Sequence, residues 1–139
     1  MSLDRFVEAQ APIYDAALTE LRRGDKRGHW MWFVFPQLAG LGHSPTAQRF
    51  GLTGPEEAAD YLAHPVLGTR LRECAHALLE LPGHDPVDVL GLVDALKLRS
   101  SMTLFDAVAP GQDFGRVLGQ YYEGKADELT LGLLSRRSG

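Results

Sequence analysis

The spacing of apolar residues predicts a mainly helical chain. In four stretches, apolar residues recur three or four positions apart, the interval that places side chains on one face of an α-helix. The four faces are formed by Ile13, Ala17 and Leu21; by Leu67, Leu71, Cys74 and Leu78; by Phe114, Val117, Leu118 and Tyr121; and by Leu129, Leu133 and Leu134. We expect each of these faces to pack against the core of the domain.

Proline and glycine residues separate the apolar stretches. A polar or small residue precedes a proline at Ser44-Pro45, Gly54-Pro55, His64-Pro65 and Asp85-Pro86. Each pair predicts a helix start, because proline is tolerated in the first turn of a helix. Glycine predicts helix ends at Gly24, Gly51, Gly83 and Gly124. The chain shows no internal repeat or linker, so we predict one compact domain over residues 1–139, an array of about six to eight short helices.

The segment from Trp30 to Phe35 departs from this pattern because every residue in it is large and apolar. Its aromatic and β-branched residues, followed by Pro36, favour an extended conformation, so we predict at most a minor strand near residues 30–35. Most of these aromatic side chains are expected in the core. An extended chain would place Trp30 and Trp32 on the same face, where an exposed tryptophan would offer a flat surface for a base.

Composition narrows the classes of function. The residues are 23% charged and 45% hydrophobic, and no apolar run is long enough to span a bilayer. A net charge of −4 argues against a general nucleic-acid-binding surface, so nucleic acid is expected only as a modified substrate. Charged residues at Asp4, Arg5 and Glu8 are unlike a signal peptide, and the single cysteine excludes an internal disulfide. We therefore expect a cytoplasmic protein.

Four cations and a histidine lie immediately before the aromatic run. Arg22 and Arg23 suit the end of a helix, where the helix dipole favours positive charge. Lys26 and Arg27 lie beyond this end, in a loop that leads through His29 into the aromatic residues. This arrangement predicts a site for an anionic ligand with a planar group. Nucleotides fit that description, and so do other ligands.

A second group of polar residues follows an apolar helix. That helix is apolar almost all round, which predicts a buried position. Asp94 and Lys97 lie three positions apart and therefore on one face, either as a structural ion pair or as a functional pair at the rim of a pocket. Ser100, Ser101 and Thr103 are predicted at the start of the next helix, where hydroxyl and amide groups can hold a phosphate.

Several common sites have no sequence signal in this chain. There is no glycine-rich phosphate loop, no GxGxxG motif and no GxSxG nucleophile elbow. The five histidines lack cysteine or carboxylate partners at zinc spacing. We therefore expect no metal site and no cofactor, and the sequence singles out no residue as a nucleophile.

Four stretches carry a resemblance to a known family. They are "GHWMWFVFPQLAGLG", "DYLAHPVLGTRL", "DALKLRSSMTLF" and "YYEGKADELTLGLL", and together they span Phe6 to Leu134. They resemble a bacterial domain-of-unknown-function family, number eighteen-ten, some of whose members are labelled calpastatin-like. The resemblance implies a small, mainly helical bacterial protein with no settled activity. The helical plan, with "HPVLGTRL" and the region of Asp94, is also similar to the NADAR group of ADP-ribose-processing proteins.

Two hypotheses about function follow. In the first, the protein is a hydrolase that cleaves an N-glycosidic bond of an ADP-ribose or NAD-like nucleotide, with Asp94 and Lys97 as the catalytic residues. In the second, it is a non-catalytic module that binds a nucleotide or a protein partner. Catalysis requires Asp94 and Lys97 to share a cleft with His29 and Trp30, whereas a wholly structural interpretation places every aromatic residue in the core. The predicted binding residues are Lys26, Arg27, His29, Trp30, Trp32, Gln37, Ser100, Ser101 and Thr103.

Overall fold

The computed structural model describes residues 3–138, with side chains up to residue 136, and the described chain is mainly helical. The helices are α1 (Asp4–Gln10), α2 (Tyr14–Arg23), α3 (Met31–Val34), α4 (Pro45–Arg49), α5 (Pro55–Ala63), α6 (Leu67–Glu80), α7 (Pro86–Leu90), α8 (Leu92–Val108), α9 (Asp113–Tyr122) and α10 (Glu128–Ser138). The prediction of a mainly α fold is confirmed. The expected number of helices was too low, because α3, α4 and α7 have only four or five residues and show no periodicity.

The proline pairs begin helices for the expected physical reason. Ser44 Oγ accepts a hydrogen bond from Ala47 N at 3.1 Å, and Asp85 Oδ1 accepts one from Val87 N at 2.9 Å. These bonds satisfy amides of the first turn that have no partner within the helix. At the other end, Gly24 terminates α2 with a left-handed φ of 72°. Gly124 is also left-handed, whereas Gly51 and Gly83 are not.

The prediction of an extended conformation at residues 30–35 is wrong. Residues 31–34 form one helical turn, in which Val34 N donates to Trp30 O and Phe35 N donates to Met31 O. This turn packs against α1 and α6, and no neighbouring strand is present among the described residues. Buried backbone groups need hydrogen-bond partners, and a helical turn supplies them within the segment itself. An unbroken apolar run has no period that would have revealed this.

The core lies around α6 and α8. Helix α6 packs against α2, α5 and α9, and α8 packs against α5, α7, α9 and α10. The face predicted for α6 is confirmed, since Leu67, Leu71, Cys74 and Leu78 are fully buried. The predicted face of α9 is buried as well. The last predicted face is only partly correct, because Leu134 is buried and Leu129 is 71% exposed.

Helix α8 differs from its prediction in two respects. It continues without a break through Ser100, Ser101 and Thr103, which were expected at the start of a new helix. Thr103 Oγ1 donates to Arg99 O at 2.8 Å, four residues earlier, and Ser100 Oγ lies 3.3 Å from Leu96 O. Such contacts let hydroxyl residues remain in the middle of a helix. In addition, the outer face of its first two turns is exposed rather than buried, at Leu92, Val93 and Leu96.

None of the helices in the described part of the chain combines the length and apolar character needed to cross a membrane.

Candidate functional site

A cavity of about 390 Å³ opens between α3, the segment from residue 37 to residue 51, α8 and the start of α10. Its apolar lining includes Leu38, Leu41, Phe50, Val93, Leu96 and Leu129, and its polar and aromatic lining consists of Trp32, Gln37, Lys97, Arg99, Ser100 and Asp127. Volume and lining are typical of small-molecule sites, which are mostly apolar with a few polar groups that fix orientation.

One face of α8 forms the floor of the cavity. Val93, Leu96, Lys97 and Ser100 all line it, and their spacing of three and four residues places them on one side of the helix. The opposite side of α8 is buried in the core at Ala95, Leu98 and Met102. Helix α8 is apolar on both sides because one side faces the core and the other faces this cavity.

The segment from residue 37 to residue 51 forms the opposite wall of the cavity, and hydrogen bonds join its two ends. Ala39 N donates to Leu52 O at 2.8 Å, and Leu52 N donates to Gln37 O at 2.9 Å. Gly51 allows this approach, since a Cβ atom there would lie 2.7 Å from Ala39 Cα. Arg5 Nε also donates to Arg49 O at 2.8 Å, which ties the segment to α1. Backbone hydrogen bonds between the two ends of the segment, together with the bond from Arg5, therefore hold this wall in place.

Trp32 and Lys97 meet at the cavity. Lys97 Nζ lies 4.0 Å from the centre of the Trp32 ring, and both side chains are partly exposed. A cation over the face of an aromatic ring is an attractive contact, worth about 0.5–1 kcal/mol at an exposed site.

The Asp94 carboxylate lies between two lysines. Lys26 Nζ is 2.7 Å from Asp94 Oδ2, and Lys97 Nζ is 3.3 Å from Asp94 Oδ1. The Lys26 side chain is only 6% exposed, its ammonium also donates to Gly28 O, and it lies 4.8 Å from the centre of the Trp30 ring. Asp94 thus neutralises a buried lysine on one side and positions the cavity lysine on the other.

Glu20 on α2 holds the loop that contains Lys26. Its Oε1 atom accepts hydrogen bonds from Arg27 N at 2.7 Å, Gly28 N at 2.8 Å and Trp30 Nε1 at 3.0 Å. Burial opposes the charge of Glu20, but these three donors and the nearby Lys26 ammonium outweigh it and lower the pKa of Glu20 below its ordinary value. The loop is therefore organised around a carboxylate of the protein itself.

Three side chains of α8 attach the chain that leads into α10. Arg99 donates to Lys125 O and to Ala126 O, both at 2.9 Å. Thr103 Oγ1 accepts from Asp127 N at 2.8 Å, and Ser100 Oγ donates to Asp127 Oδ2 at 3.1 Å. Asp127 is consequently fixed next to the cavity floor.

The chain as a whole can be compared with known proteins. The family model of DUF1810, described as a protein of unknown function, matches residues 1–134. The chain belongs to this family. The expected family resemblance is therefore confirmed. A DUF1810 chain thus has the helical architecture described above, with the cavity formed by α3, α8 and α10.

A solved structure gives the same fold. The crystal structure of the conserved hypothetical protein Rv1873 from Mycobacterium tuberculosis is similar to this DUF1810 chain at 51% sequence identity, with a TM-score of 0.94 and coverage of 96% of each chain. No curated protein matches the sequence.

The structure brings four of the predicted site residues of this DUF1810 member to the cavity. They are Trp32, Gln37, Lys97 and Ser100. The remaining predicted residues lie outside its lining, namely Lys26, Arg27, His29, Trp30, Asp94, Ser101 and Thr103. Trp30 is 2% exposed, so the cleft does not combine Asp94 and Lys97 with His29 and Trp30.

Two polar lining residues, Arg99 and Asp127, were not predicted from the sequence. Arg99 follows Lys97 by two positions, so helical spacing alone does not place both on one face. Asp127 lies 27 positions after Ser100, and only the packing of α10 on α8 brings the two together. No cluster of three or more histidine, cysteine or acidic residues among the described residues is arranged to hold a metal ion.

Proposed function

We propose that this cavity binds a small ligand that carries a planar ring and negative charge, of the ADP-ribose or NAD type. The contact that supports this proposal best is the pair of Trp32 and Lys97 at the cavity wall, with Lys97 Nζ 4.0 Å from the ring centre. An aromatic face beside a cation suits a ligand that has a flat ring next to a phosphate.

The energies favour exchange of Lys97 for a ligand ring on this face. Stacking of a base on an aromatic side chain contributes about 1–3 kcal/mol, more than the ~0.5–1 kcal/mol of a partly exposed cation over the same ring. A ligand ring can therefore displace the Lys97 ammonium from Trp32. The displaced ammonium is then available to a phosphate of the ligand, while Lys26 still compensates the Asp94 carboxylate.

The charge of the lining has the sign that an anionic ligand requires. Lys97 and Arg99 contribute two positive charges and Asp127 one negative charge, so the lining is positive in a chain whose net charge is −4. A charged cleft with apolar walls concentrates ligands of the opposite charge. The loop that contains Lys26 and Arg27 is a weaker candidate for binding an anionic ligand than the cavity. Lys26 is already bound to Asp94, and Arg27 is bound to Asp25.

Binding is supported better than hydrolysis. The hydrolytic hypothesis requires Asp94 and Lys97 to act together at the sugar. Asp94, the residue expected to act in catalysis, lies outside the cavity lining, and each of its oxygens faces a lysine. Release of nicotinamide from NAD, followed by chromatography, tests the hydrolytic hypothesis directly. Absence of release with retained binding would leave the protein as a binding module.

A thermal-shift experiment with matched variants tests the binding site. ADP-ribose or NAD at about 100 times its dissociation constant should add ~2.7 kcal/mol to the stability of the protein and raise its Tm. We expect Lys97→Met to remove most of this shift. Arg27→Met makes the same change of charge at a side chain that is 80% exposed and outside the lining, and it should retain the shift.

The two variants also separate the alternative sites. Loss of the shift in Arg27→Met with full retention in Lys97→Met would place the ligand at the basic loop and refute the cavity. If neither ligand changes the Tm of the unmodified protein at millimolar concentration, the proposed ligand class is wrong.

A further inference from the structure

The two oxygens of Asp127 have different surroundings. Asp127 Oδ2 accepts hydrogen bonds from Ser100 Oγ at 3.1 Å, Thr130 N at 3.1 Å and Thr130 Oγ1 at 2.6 Å. Asp127 Oδ1 accepts none from the residues that the structure describes, and Asp127 lines the cavity. One oxygen therefore caps α10 and binds it to α8, and the other remains an acceptor for a group in the cavity.

We propose that Asp127 determines the specificity of the cavity by accepting a hydrogen bond from a hydroxyl group of the ligand through Oδ1. In a nucleotide-like ligand, the hydroxyls of a ribose are the donors that match a carboxylate. A carboxylate repels phosphate, so the phosphates are directed to Lys97 and Arg99 and the sugar to Asp127. This inference rests on the function proposed above and adds the orientation of the ligand to it.

The attachment of Asp127 is rigid enough for such selection. Its side chain is bound by Ser100, its amide by Thr103, and the two carbonyl groups before it by Arg99. All three residues lie within two turns of α8, so the carboxylate keeps a fixed position relative to Lys97 on the same helix. A fixed acceptor does not lose conformational freedom when the ligand binds, and this increases its contribution to affinity.

A purely structural role for Asp127 makes a different prediction from ligand recognition. In Asp127→Asn, the three donors retain the amide oxygen at the position of Oδ2, so the amide nitrogen occupies the position of Oδ1. Asparagine is as good a helix cap as aspartate. The substitution therefore keeps the cap and converts the acceptor in the cavity into a donor.

Isothermal titration calorimetry with ADP-ribose distinguishes the two roles. We expect Asp127→Asn to weaken binding about tenfold to a hundredfold, as for the loss of a hydrogen bond to a charged group. The matched control is Asp85→Asn, at the exposed cap of α7 outside the cavity lining, which should bind like the unmodified protein. Urea midpoints of the two variants should be similar.

Three outcomes decide the question. Binding by Asp127→Asn that is as tight as, or tighter than, that of the unmodified protein overturns the role of Asp127 and leaves the proposed function intact. Absence of binding to the unmodified protein overturns both. If Asp127→Asn is poorly folded, Asp127→Ser is used instead, because serine also caps helices and offers no second acceptor. Unchanged affinity of Asp127→Ser would equally overturn the inference.

Discussion

Lys26 and Lys97 are both paired with Asp94, but they differ in what else surrounds them. Lys26 is almost buried, its ammonium is shared between Asp94 and Gly28 O, and it lies over Trp30. Lys97 is 21% exposed and lies over Trp32 at the cavity. A buried ammonium needs such partners to offset its lost hydration, whereas a partly exposed one can exchange them for a ligand. The structure therefore distinguishes a structural lysine from a candidate binding lysine.

Ser101 provides a stability prediction at a single atom. Its Oγ is fully buried and has no hydrogen-bond partner in the described structure. Ser101→Ala removes an unpaired hydroxyl from the core and improves helix propensity, so we expect the free energy of unfolding to rise by ~0.5–2 kcal/mol. Urea denaturation measures the change.

Ser100→Ala is the matched control one position earlier on α8. Ser100 Oγ donates to the Asp127 carboxylate, so this variant should lose about 1.5–3 kcal/mol. If both variants were destabilised by the same amount, the Ser101 hydroxyl would have to form a hydrogen bond in solution.

Among the elements, the loop between α2 and α3 is held by several hydrogen bonds to a single side chain, that of Glu20. Glu20 Oε1 binds two backbone amides of this loop and the Trp30 indole nitrogen. The loop also donates from Lys26 N to Val89 O at 2.8 Å, which connects it to α7. The conformation of the loop is therefore fixed by hydrogen bonds to neighbouring helices. Its basic residues, Lys26 and Arg27, are paired with aspartates of the same chain.

The lowered pKa of Glu20 predicts a dependence of stability on pH. A carboxyl group with a folded-state pKa below its unfolded value of about 4.3 stabilises the protein above that pH. The contribution is lost as the pH falls through the folded-state pKa. We expect Glu20→Gln to be less stable than the unmodified protein at pH 7, with a difference that shrinks below about pH 4.

Urea midpoints between pH 3 and pH 7 measure this difference, with Glu8→Gln as the control. Glu8 is an exposed carboxylate of α1 without a hydrogen-bond or ion-pair partner in the described residues, so its variant should follow the unmodified protein in parallel. Parallel curves for Glu20→Gln would contradict the role of Glu20 in holding the loop.

For the whole molecule, the packing around α6 predicts how the chain opens. Cys74 is fully buried on α6, the helix that packs against α2, α5 and α9. Burial raises the pKa of the Cys74 thiol to about 12. The thiolate, which is the reactive form, is therefore both scarce and inaccessible in the folded protein.

We expect a thiol reagent at pH 8 to label Cys74 at least ~10³-fold more slowly in buffer than in denaturing urea, because reaction requires unfolding of the core. The labelling rate should rise with urea in step with the loss of helical circular dichroism. Fast labelling in buffer would show instead that α6 opens locally while the rest of the fold persists.

The interpretation of the sequence was most accurate where a residue type has one strong local preference. Ser44 and Asp85 before proline, and Gly24 after the first long helix, have the expected roles. It was least accurate in the aromatic run, where an unbroken apolar segment has no period. Of the residues predicted for a site, Trp32, Gln37, Lys97 and Ser100 line the cavity, and Arg99 and Asp127 line it without having been predicted.

The sequence by itself determined the helical class, the helix starts at the proline pairs and the buried faces of α6 and α9, because these depend on interactions within about four residues along the chain. Only the tertiary structure decided that Trp30 is buried while Trp32 lines the cavity, and that Lys26 neutralises Asp94. It also placed Asp127 beside Ser100, 27 positions away. Such contacts depend on how helices pack across the core, and the spacing of residues along one helix carries no information about its neighbours.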